Sequence, residues 1–158
     1  TETMSTALHL AVQQARDEKN ETAIARVPSG WVLMGDAQTL PGYCLLVADP
    51  LVEDLHQLAP AARQQFLGDM ALLGEALIRL TGAARMNYEI LGNSTPALHA
   101  HLFPRYAHEP DELRRQPVWR YSSDAWRAEP FHRATHLPLM RRVAEELSAL
   151  GAEMTWRC

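Results

Sequence analysis

Residues 97–105, which read ALHAHLFPR, constrain the fold more than any other part of the chain. A short polar turn, residues 92–96, comes directly before them. Because side chains two apart in a β-strand point to the same face, His99 and His101 would present their imidazoles side by side. The opposite face would carry the residues that suit burial, which are Leu98, Ala100 and Leu102. The pattern therefore predicts a hairpin strand with one buried face and one face that carries two histidines.

Two imidazoles beside a polar turn can hold a phosphate and attack it, because turn N–H groups and hydroxyls are donors for oxyanions. The residues alone leave two other interpretations open: ordinary surface histidines, or two ligands of a metal site completed elsewhere. His108 could supply a third ligand to such a zinc site. Carboxylates that would orient the imidazoles of a zinc site are not evident nearby.

A second pair, His132 and His136, would share one face of a helix, which is also a spacing of metal ligands. The Glu that follows the first histidine in a metalloprotease helix is lacking, and Pro138 comes soon afterwards. A surface pair is therefore the favoured interpretation. The sequence also lacks a Walker-type phosphate loop, a dinucleotide-binding GxGxxG and a GxSxG nucleophile elbow.

Length and composition are those of an ordinary globular domain. The 158 residues are 47% hydrophobic and carry a net charge of -4, which argues against a surface for nucleic acid. No apolar stretch reaches the length of a membrane span, and the first residues lack the pattern of a signal peptide. Two cysteines do not make a disulfide framework, and Cys44 lies in an apolar run that predicts a buried thiol. We therefore expect a cytoplasmic protein that binds neither nucleic acid nor membrane.

The first part of the chain predicts two helices and five strands. A first helix, capped by Ser5, would run to about Lys19. Three strands would follow, at residues 22–28, 31–34 and 43–48, the last buried on both faces. Pro60 would open the longest helix, which Gly82 would end after about Thr81, with its core stripe at Phe66, Met70, Leu73, Leu77 and Leu80. Strands at 85–91 and 97–104 would then form the hairpin around the polar turn.

The chain changes character after Tyr106. Residues 107–136 contain three prolines among aromatic residues and predict an extended arm that packs through aromatic anchors, which are Trp119, Tyr121 and Trp126. A final helix would run from Leu137 to Leu150.

Three segments, in this order, resemble the histidine triad (HIT) family over about residues 20–106. The first is the strand and loop 31–42, which includes Asp36. The second is Pro41-Gly42-Tyr43-Cys44-Leu45-Leu46-Val47 followed by Val52-Glu53-Asp54-Leu55-His56-Gln57-Leu58. The third is the polar turn with Leu98-His99-Ala100-His101-Leu102-Phe103-Pro104-Arg105. The order of these three segments and the spacing between them agree with the family pattern, and so do the paired histidines.

The resemblance implies an α+β fold, with a mostly antiparallel sheet flanked by helices. The chain would be one HIT-like domain over residues 1–158, with its core at about 20–106 and a C-terminal extension, an arm and a helix, at 107–158. It also implies a homodimer in which one sheet continues across both subunits.

The family pattern has three alternating histidines, and the sequence departs from it at the first, which is Ala97. The resemblance makes the second, His99, the nucleophile and the third, His101, a donor to the phosphate or leaving group. Ala97 keeps the main-chain carbonyl through which the first position supports the site. Tyr43 stands where the family usually has another histidine. The resemblance also assigns phosphate contacts to Asn93 and Ser94 and a ribose contact to Asp36.

These assignments imply a nucleotide hydrolase or nucleotidyl transferase acting at an α-phosphate through a nucleotidyl-histidine intermediate. Its substrate would be a dinucleoside polyphosphate or a nucleoside phosphoramidate. The matches at residues 41–42 and 52–53 favour the fragile-histidine-triad-like branch of the family. The alternative is a nucleotide-binding module with little or no catalysis, because the first histidine is missing. We expect no resident metal or cofactor, and Mg²⁺ only as a companion of the substrate phosphates.

Overall fold

A computed structural model describes residues 6–158 and contains one six-stranded sheet in the order β4-β5-β3-β2-β1-β6. All five strand pairings are antiparallel, which confirms the predicted α+β architecture. The strands are β1 (Ala23–Val27), β2 (Gly30–Met34), β3 (Cys44–Ala48), β4 (Arg85–Glu89), β5 (His99–Arg105) and β6 (Thr155–Trp156). The helices are α1 (Ala7–Arg16), α2 (Pro60–Thr81), α3 (Asp111–Arg114), α4 (Ser123–Ala128) and α5 (Arg133–Ala149), with 3₁₀ turns at Leu55–Gln57 and Val118–Arg120.

One face of the sheet is covered by α2 and α5, and it holds the main hydrophobic core. The alternate residues of β3 that point into this core are Cys44, Leu46 and Ala48, and those of β5 include Ala100 and Leu102. The apolar positions two apart on each strand therefore lie on the face that is sealed from water. Cys44 is a buried free thiol there, as its apolar surroundings predict.

The opposite face is divided into two parts. Near β1 and β2, α1 covers a smaller apolar cluster that contains Trp31, Leu33 and Val47. At the other end, residues of the C-terminal extension pack on Tyr43 and Phe103. Between these two covers lies the stretch of β5 that carries the histidines, so the fold itself leaves this part of the face open.

The long helix has the predicted bounds. Pro60 stands in its first turn, where a missing N–H costs nothing, and Gly82 ends it in the left-handed conformation with φ of 65°. Phe66, Leu73 and Leu77 are fully buried, while Met70 and Leu80 pack partly buried against the same core. The helix is therefore a structural support for β5 from behind.

The first helix and the last one differ from their predicted bounds. Ser5 lies outside the described residues, and the N-cap of α1 is Thr6, which makes a capping box with His9. The helix ends at Arg16 rather than Lys19. The last helix begins at Arg133, one turn before the predicted Leu137, and tolerates Pro138 inside it. His136 N–H donates to the carbonyl of His132 in that additional turn, at 2.9 Å.

The prediction of an extended arm over 107–136 was wrong in its secondary structure. The segment folds into α3, a 3₁₀ turn and α4, which are too short to show a helical period in the sequence. The aromatic anchors were predicted correctly in part: Tyr121 and Trp126 pack on the Tyr43–Phe103 cluster, whereas Trp119 is 55% exposed. The two-residue strand β6, which pairs with β1, was not predicted.

A buried ion pair fastens the extension to the histidine strand. Arg105, at the end of β5, donates to both carboxylate oxygens of Glu109 at 3.0–3.1 Å, and both side chains are almost completely buried. The same guanidinium donates to the carbonyls of Leu113 and Gln116. Glu109 in turn accepts from Tyr121 Oη at 2.6 Å. The pair therefore links β5 to α3, to the chain at Gln116 and to the anchor Tyr121.

Candidate active site

The two histidines of β5 form a contact pair on the open part of the sheet face. Their Nε2 atoms are 3.0 Å apart, and the rings meet edge to face with centroids at 4.7 Å. His99 is buried, and His101 is half-buried. The antiparallel register sets Val47 beside His99 and both Leu45 and Glu89 beside His101. The two-residue period of the strand thus produces the shared face that the sequence predicts.

The outer nitrogens of the pair are also bonded. Nδ1 of His99 lies 2.6 Å from the carbonyl oxygen of Ala97, and Nδ1 of His101 lies 2.6 Å from the hydroxyl of Tyr43. A carbonyl oxygen can only accept, so Nδ1 of His99 carries a proton. In neutral His99 the Nε2 atom then has a free lone pair, and Nε2–H of His101 donates to it. Neutral His101 therefore accepts from Tyr43 at Nδ1.

The surroundings favour this arrangement of protons. Burial, and then the neighbouring charge of His99, lowers the pKa of His101 to about 4, so His101 is neutral at physiological pH. Burial also raises the pKa of Tyr43, and the carboxylate of Asp36 raises it further. The phenol thus keeps its proton and remains a donor.

A pocket of about 540 Å³ opens beside His101. Its floor is an aromatic stack in which Phe103 lies parallel to Tyr43, with centroids at 4.1 Å, and to His101 at 5.7 Å. Two carboxylates reach the pocket, Asp36 from the loop after β2 and Glu89 from β4. The far wall comes from the extension and consists of Val118, Trp119, Trp126, Arg127 and Pro130.

The extension also holds the loop that carries Asp36. Phe131 N–H donates to the carbonyl of Asp36 at 2.8 Å, and Gln38 N–H donates to the carbonyl of Glu129 at 2.6 Å. Thr39 Oγ1 donates to the carbonyl of Ala125 at 2.8 Å. The carboxylate of Asp36 is exposed at the pocket edge, where a hydroxyl-bearing ligand can reach it.

The structure brings some of the predicted site residues together and sets others apart. His99 and His101 touch, and Asp36 shares a pocket with His101. Asn93 and Ser94 are exposed in the loop between β4 and β5, outside the walls of that pocket. This loop leads into Ala97, whose carbonyl holds His99.

Several residues of the site, among them Glu89, Trp126 and Arg127, were not singled out as functional from the sequence. The position of Glu89 beside His101 follows from the hairpin register, so a turn-based alignment of the two predicted strands could have found it. Trp126 and Arg127 lie in the extension, and no local pattern signals that this segment folds back over β5. Their contribution depends on the tertiary packing of the extension.

The described chain, residues 6–158, also bears on metal binding and on membrane insertion. In this part of the chain, no group of three or more His, Cys, Asp or Glu is arranged to hold a metal ion. His132 stands at the N-cap of α5, and its backbone N–H donates to Nδ1 of His136 at 3.0 Å. None of the helices in residues 6–158 is long and apolar enough to cross a membrane.

Comparison with known proteins places this chain and its fold in one family. A family profile described as the HIT domain matches residues 16–108, more than half of the chain. The chain therefore belongs to the HIT family. A search of curated protein sequences finds no significant match.

Solved structures share the fold at low sequence identity. A histidine triad protein from Marinobacter aquaeolei VT8 is 24% identical and superposes with a TM-score of 0.69, covering 82% of this chain and 90% of that one. A histidine triad protein from Bradyrhizobium japonicum is 21% identical with a TM-score of 0.70, covering 92% and 97%. A hypothetical histidine triad nucleotide-binding protein from Sulfolobus tokodaii strain7 is 12% identical with a TM-score of 0.69, covering 89% and 93%.

Proposed function

We propose that this protein hydrolyses or transfers nucleotides at the α-phosphate through a covalent nucleotidyl-histidine on His99. One observation carries the proposal: the carbonyl of Ala97 binds Nδ1 of His99 at 2.6 Å and so leaves the lone pair on Nε2. A neutral imidazole with a free lone pair is a nucleophile toward phosphorus. Proteins of the HIT family generally hydrolyse or transfer nucleotides, although some lack catalysis.

The reaction would proceed in two displacements. In the first, Nε2 of His99 forms a bond to the α-phosphorus, and the bond from phosphorus to the leaving group breaks. Nε2–H of His101, which is 3.0 Å from the attacking atom in the free protein, turns to the phosphate oxygen or the leaving atom. In the second, water attacks phosphorus, the bond from phosphorus to Nε2 of His99 breaks, and the nucleoside monophosphate leaves while one proton of that water passes to solvent. A different acceptor in place of water would make the protein a transferase.

The remaining site residues would hold the substrate. Asp36, at the pocket edge, would accept hydrogen bonds from the ribose hydroxyls. Asn93 and Ser94, in the exposed loop before β5, would donate to the phosphate once a ligand draws the loop inward. The substrate would be a dinucleoside polyphosphate or a nucleoside phosphoramidate, and Mg²⁺ would enter only with its phosphates.

The alternative function is nucleotide binding with little or no catalysis, which the missing first histidine favours. The geometry at Ala97 favours the enzyme instead, because the contact to His99 comes from the backbone and not from a side chain. Ala97 is completely buried just before β5, so the packing keeps this carbonyl in place without an imidazole at that position. The fragile-histidine-triad-like branch remains our proposal within the family.

The assembly and compartment complete the proposal. β4 is an edge strand of the sheet, and Tyr88 on it is 42% exposed. We propose that two copies pair along this edge, so that one sheet continues through a homodimer. Both cysteines of the described chain are free, which suits the reducing cytoplasm.

The test is detection of the covalent intermediate. The protein is mixed with a panel of adenylylated compounds, quenched in base because N–P bonds are labile to acid, and weighed intact. We expect an adduct of the nucleotidyl mass and release of nucleoside monophosphate on chromatography. His99→Ala should give neither while it keeps the fold, because the buried face of β5 is unchanged. Saturable binding with no product from any compound would support the binding module, and near-normal turnover by His99→Ala would refute the mechanism.

A further inference from the structure

We propose that Tyr43 is a positioning residue whose hydroxyl donates to Nδ1 of His101 and so holds this ring neutral, with Nε2–H facing His99 and the substrate. This inference rests on the proposed function for its catalytic consequence. Its structural content, the protonation of His101, stands independently. Tyr43 occupies a position where the family usually has histidine, so this hydrogen bond from a tyrosine hydroxyl is a feature of this chain.

The ring of Tyr43 is held on both sides. On one side it lies against the backbone of Gly35, where a Cβ atom would come within 2.1 Å of the ring. On the other side it stacks on Phe103 with an interplanar angle of 14°. Tyr43 is only 7% exposed. The hydroxyl therefore has a fixed place, 2.6 Å from Nδ1 of His101.

The contacts at both nitrogens of His101 decide which one carries the proton. A phenol hydroxyl can donate or accept, but the lone pair on Nε2 of His99 needs a donor, so the N–H of neutral His101 lies on Nε2 and Tyr43 donates to Nδ1. The other tautomer would place N–H at Nδ1 and leave Nε2 without a hydrogen to offer to His99 or to a phosphate. The contact with the Ala97 carbonyl imposes the matching proton position on His99. The carbonyl of Ala97, as an acceptor, and the hydroxyl of Tyr43, as a donor, are thus matched to the proton positions on the two imidazoles.

Tyr43 acts as a donor and not as a source of the transferred proton. Burial and the nearby Asp36 carboxylate raise its pKa, so the phenolate is unfavourable in this place. The other charged or titratable groups that face His101 are His99 on its own strand, Glu89 on β4, and Asp36 and Arg127 across the pocket. The hydrogen bond from Tyr43 stabilises neutral His101 among these groups, because a protonated Nδ1 could not accept it.

The experiment compares Tyr43→Phe with Tyr88→Phe. Tyr43→Phe keeps the stacked ring and removes only the hydroxyl. Tyr88→Phe is the matched control, because its hydroxyl lies against Gly74 of α2 on the opposite face of the sheet. The ¹⁵N chemical shifts of the His101 ring, recorded by NMR in the free protein over a pH series, report both its tautomer and its pKa. Steady-state kinetics on the best adenylylated substrate report the catalytic effect.

We expect the wild type and Tyr88→Phe to show His101 with the proton on Nε2. Tyr43→Phe should show a higher pKa for His101, since neutral His101 loses the hydrogen bond that its Nδ1 accepts. Its kcat should fall about 3- to 10-fold with KM nearly unchanged, the loss of one neutral hydrogen bond. An unchanged pKa for His101 in Tyr43→Phe would overturn the inference. If no substrate is turned over, the proposed function fails, and the NMR result still decides the role of Tyr43.

Discussion

Replacing Glu109 by Gln should destabilise the fold strongly, because the substitution leaves the buried guanidinium of Arg105 without its counter-charge. The side chains of Arg105 and Glu109 are 6% and 3% exposed, so water cannot compensate for the lost charge. Removing one partner of such a pair costs about 3–5 kcal/mol. At about 2–4 °C per kcal/mol for a domain of this size, the melting temperature should fall by about 6–20 °C.

The assay is urea denaturation at pH 7 followed by tryptophan fluorescence, with Glu145→Gln as the control. Glu145 is exposed on α5, and its substitution should change stability by less than about 0.5 kcal/mol. Burial raises the pKa of Glu109, but hydrogen bonds from Arg105, Tyr121 and the Tyr106 backbone outweigh it, so the pKa is lowered. A lowered pKa stabilises the fold above the unfolded value of about 4.3 and ceases to do so as the pH falls through the folded value. The difference between wild type and Glu109→Gln should therefore shrink in acid. A loss below about 1 kcal/mol at pH 7 would refute the reasoning.

Three further predictions concern the site. Ser94→Ala should lower kcat, by at most the roughly 10²–10³-fold that one oxyanion donor supplies and by less than His99→Ala; an unchanged kcat would mean that the loop does not hold the reacting phosphate. Asp36→Ala should raise KM and weaken the preference for ribo- over 2′-deoxyribonucleotides, because a carboxylate with one missing hydroxyl partner loses about 1–3 kcal/mol; equal discrimination in both proteins would place the ribose contact elsewhere. Untagged protein should contain no stoichiometric zinc and keep its activity in a chelator; activity lost to chelation and restored by zinc would contradict this, whereas a Mg²⁺ requirement would not.

Much of the scaffold behind the site follows from local sequence patterns. The two-residue period of residues 98–105 predicts which side chains point into the main core, and Pro60 with Gly82 predicts both ends of α2. These signals are local, because a strand face and a helix end depend on residues only a few positions apart. The placement of His99 beside His101 needs no more than this.

The rest of the site depends on contacts between distant parts of the chain. Tyr43 and His101 are 58 positions apart, and their hydrogen bond exists only because β3 and β5 pair in one register. The extension shows the same limit, since Trp126 reaches the pocket through three short helical segments that have no readable period. The start of α5 was predicted one turn late because residues up to 136 were assigned to the arm, whereas the helix begins at Arg133 and includes Pro138 at the loss of one backbone donor.

The reacting groups and the far wall of the pocket come from different segments of the chain, which are β5 and the extension. The reacting imidazoles and their hydrogen bonds belong to the sheet, whereas Val118, Trp119, Trp126 and Arg127 belong to a segment fastened at Arg105. Side chains on that segment can change the size, charge and shape of the cavity without moving Nε2 of His99. A library of variants at these four positions should therefore change which leaving groups are accepted, while the reaction at His99 stays the same.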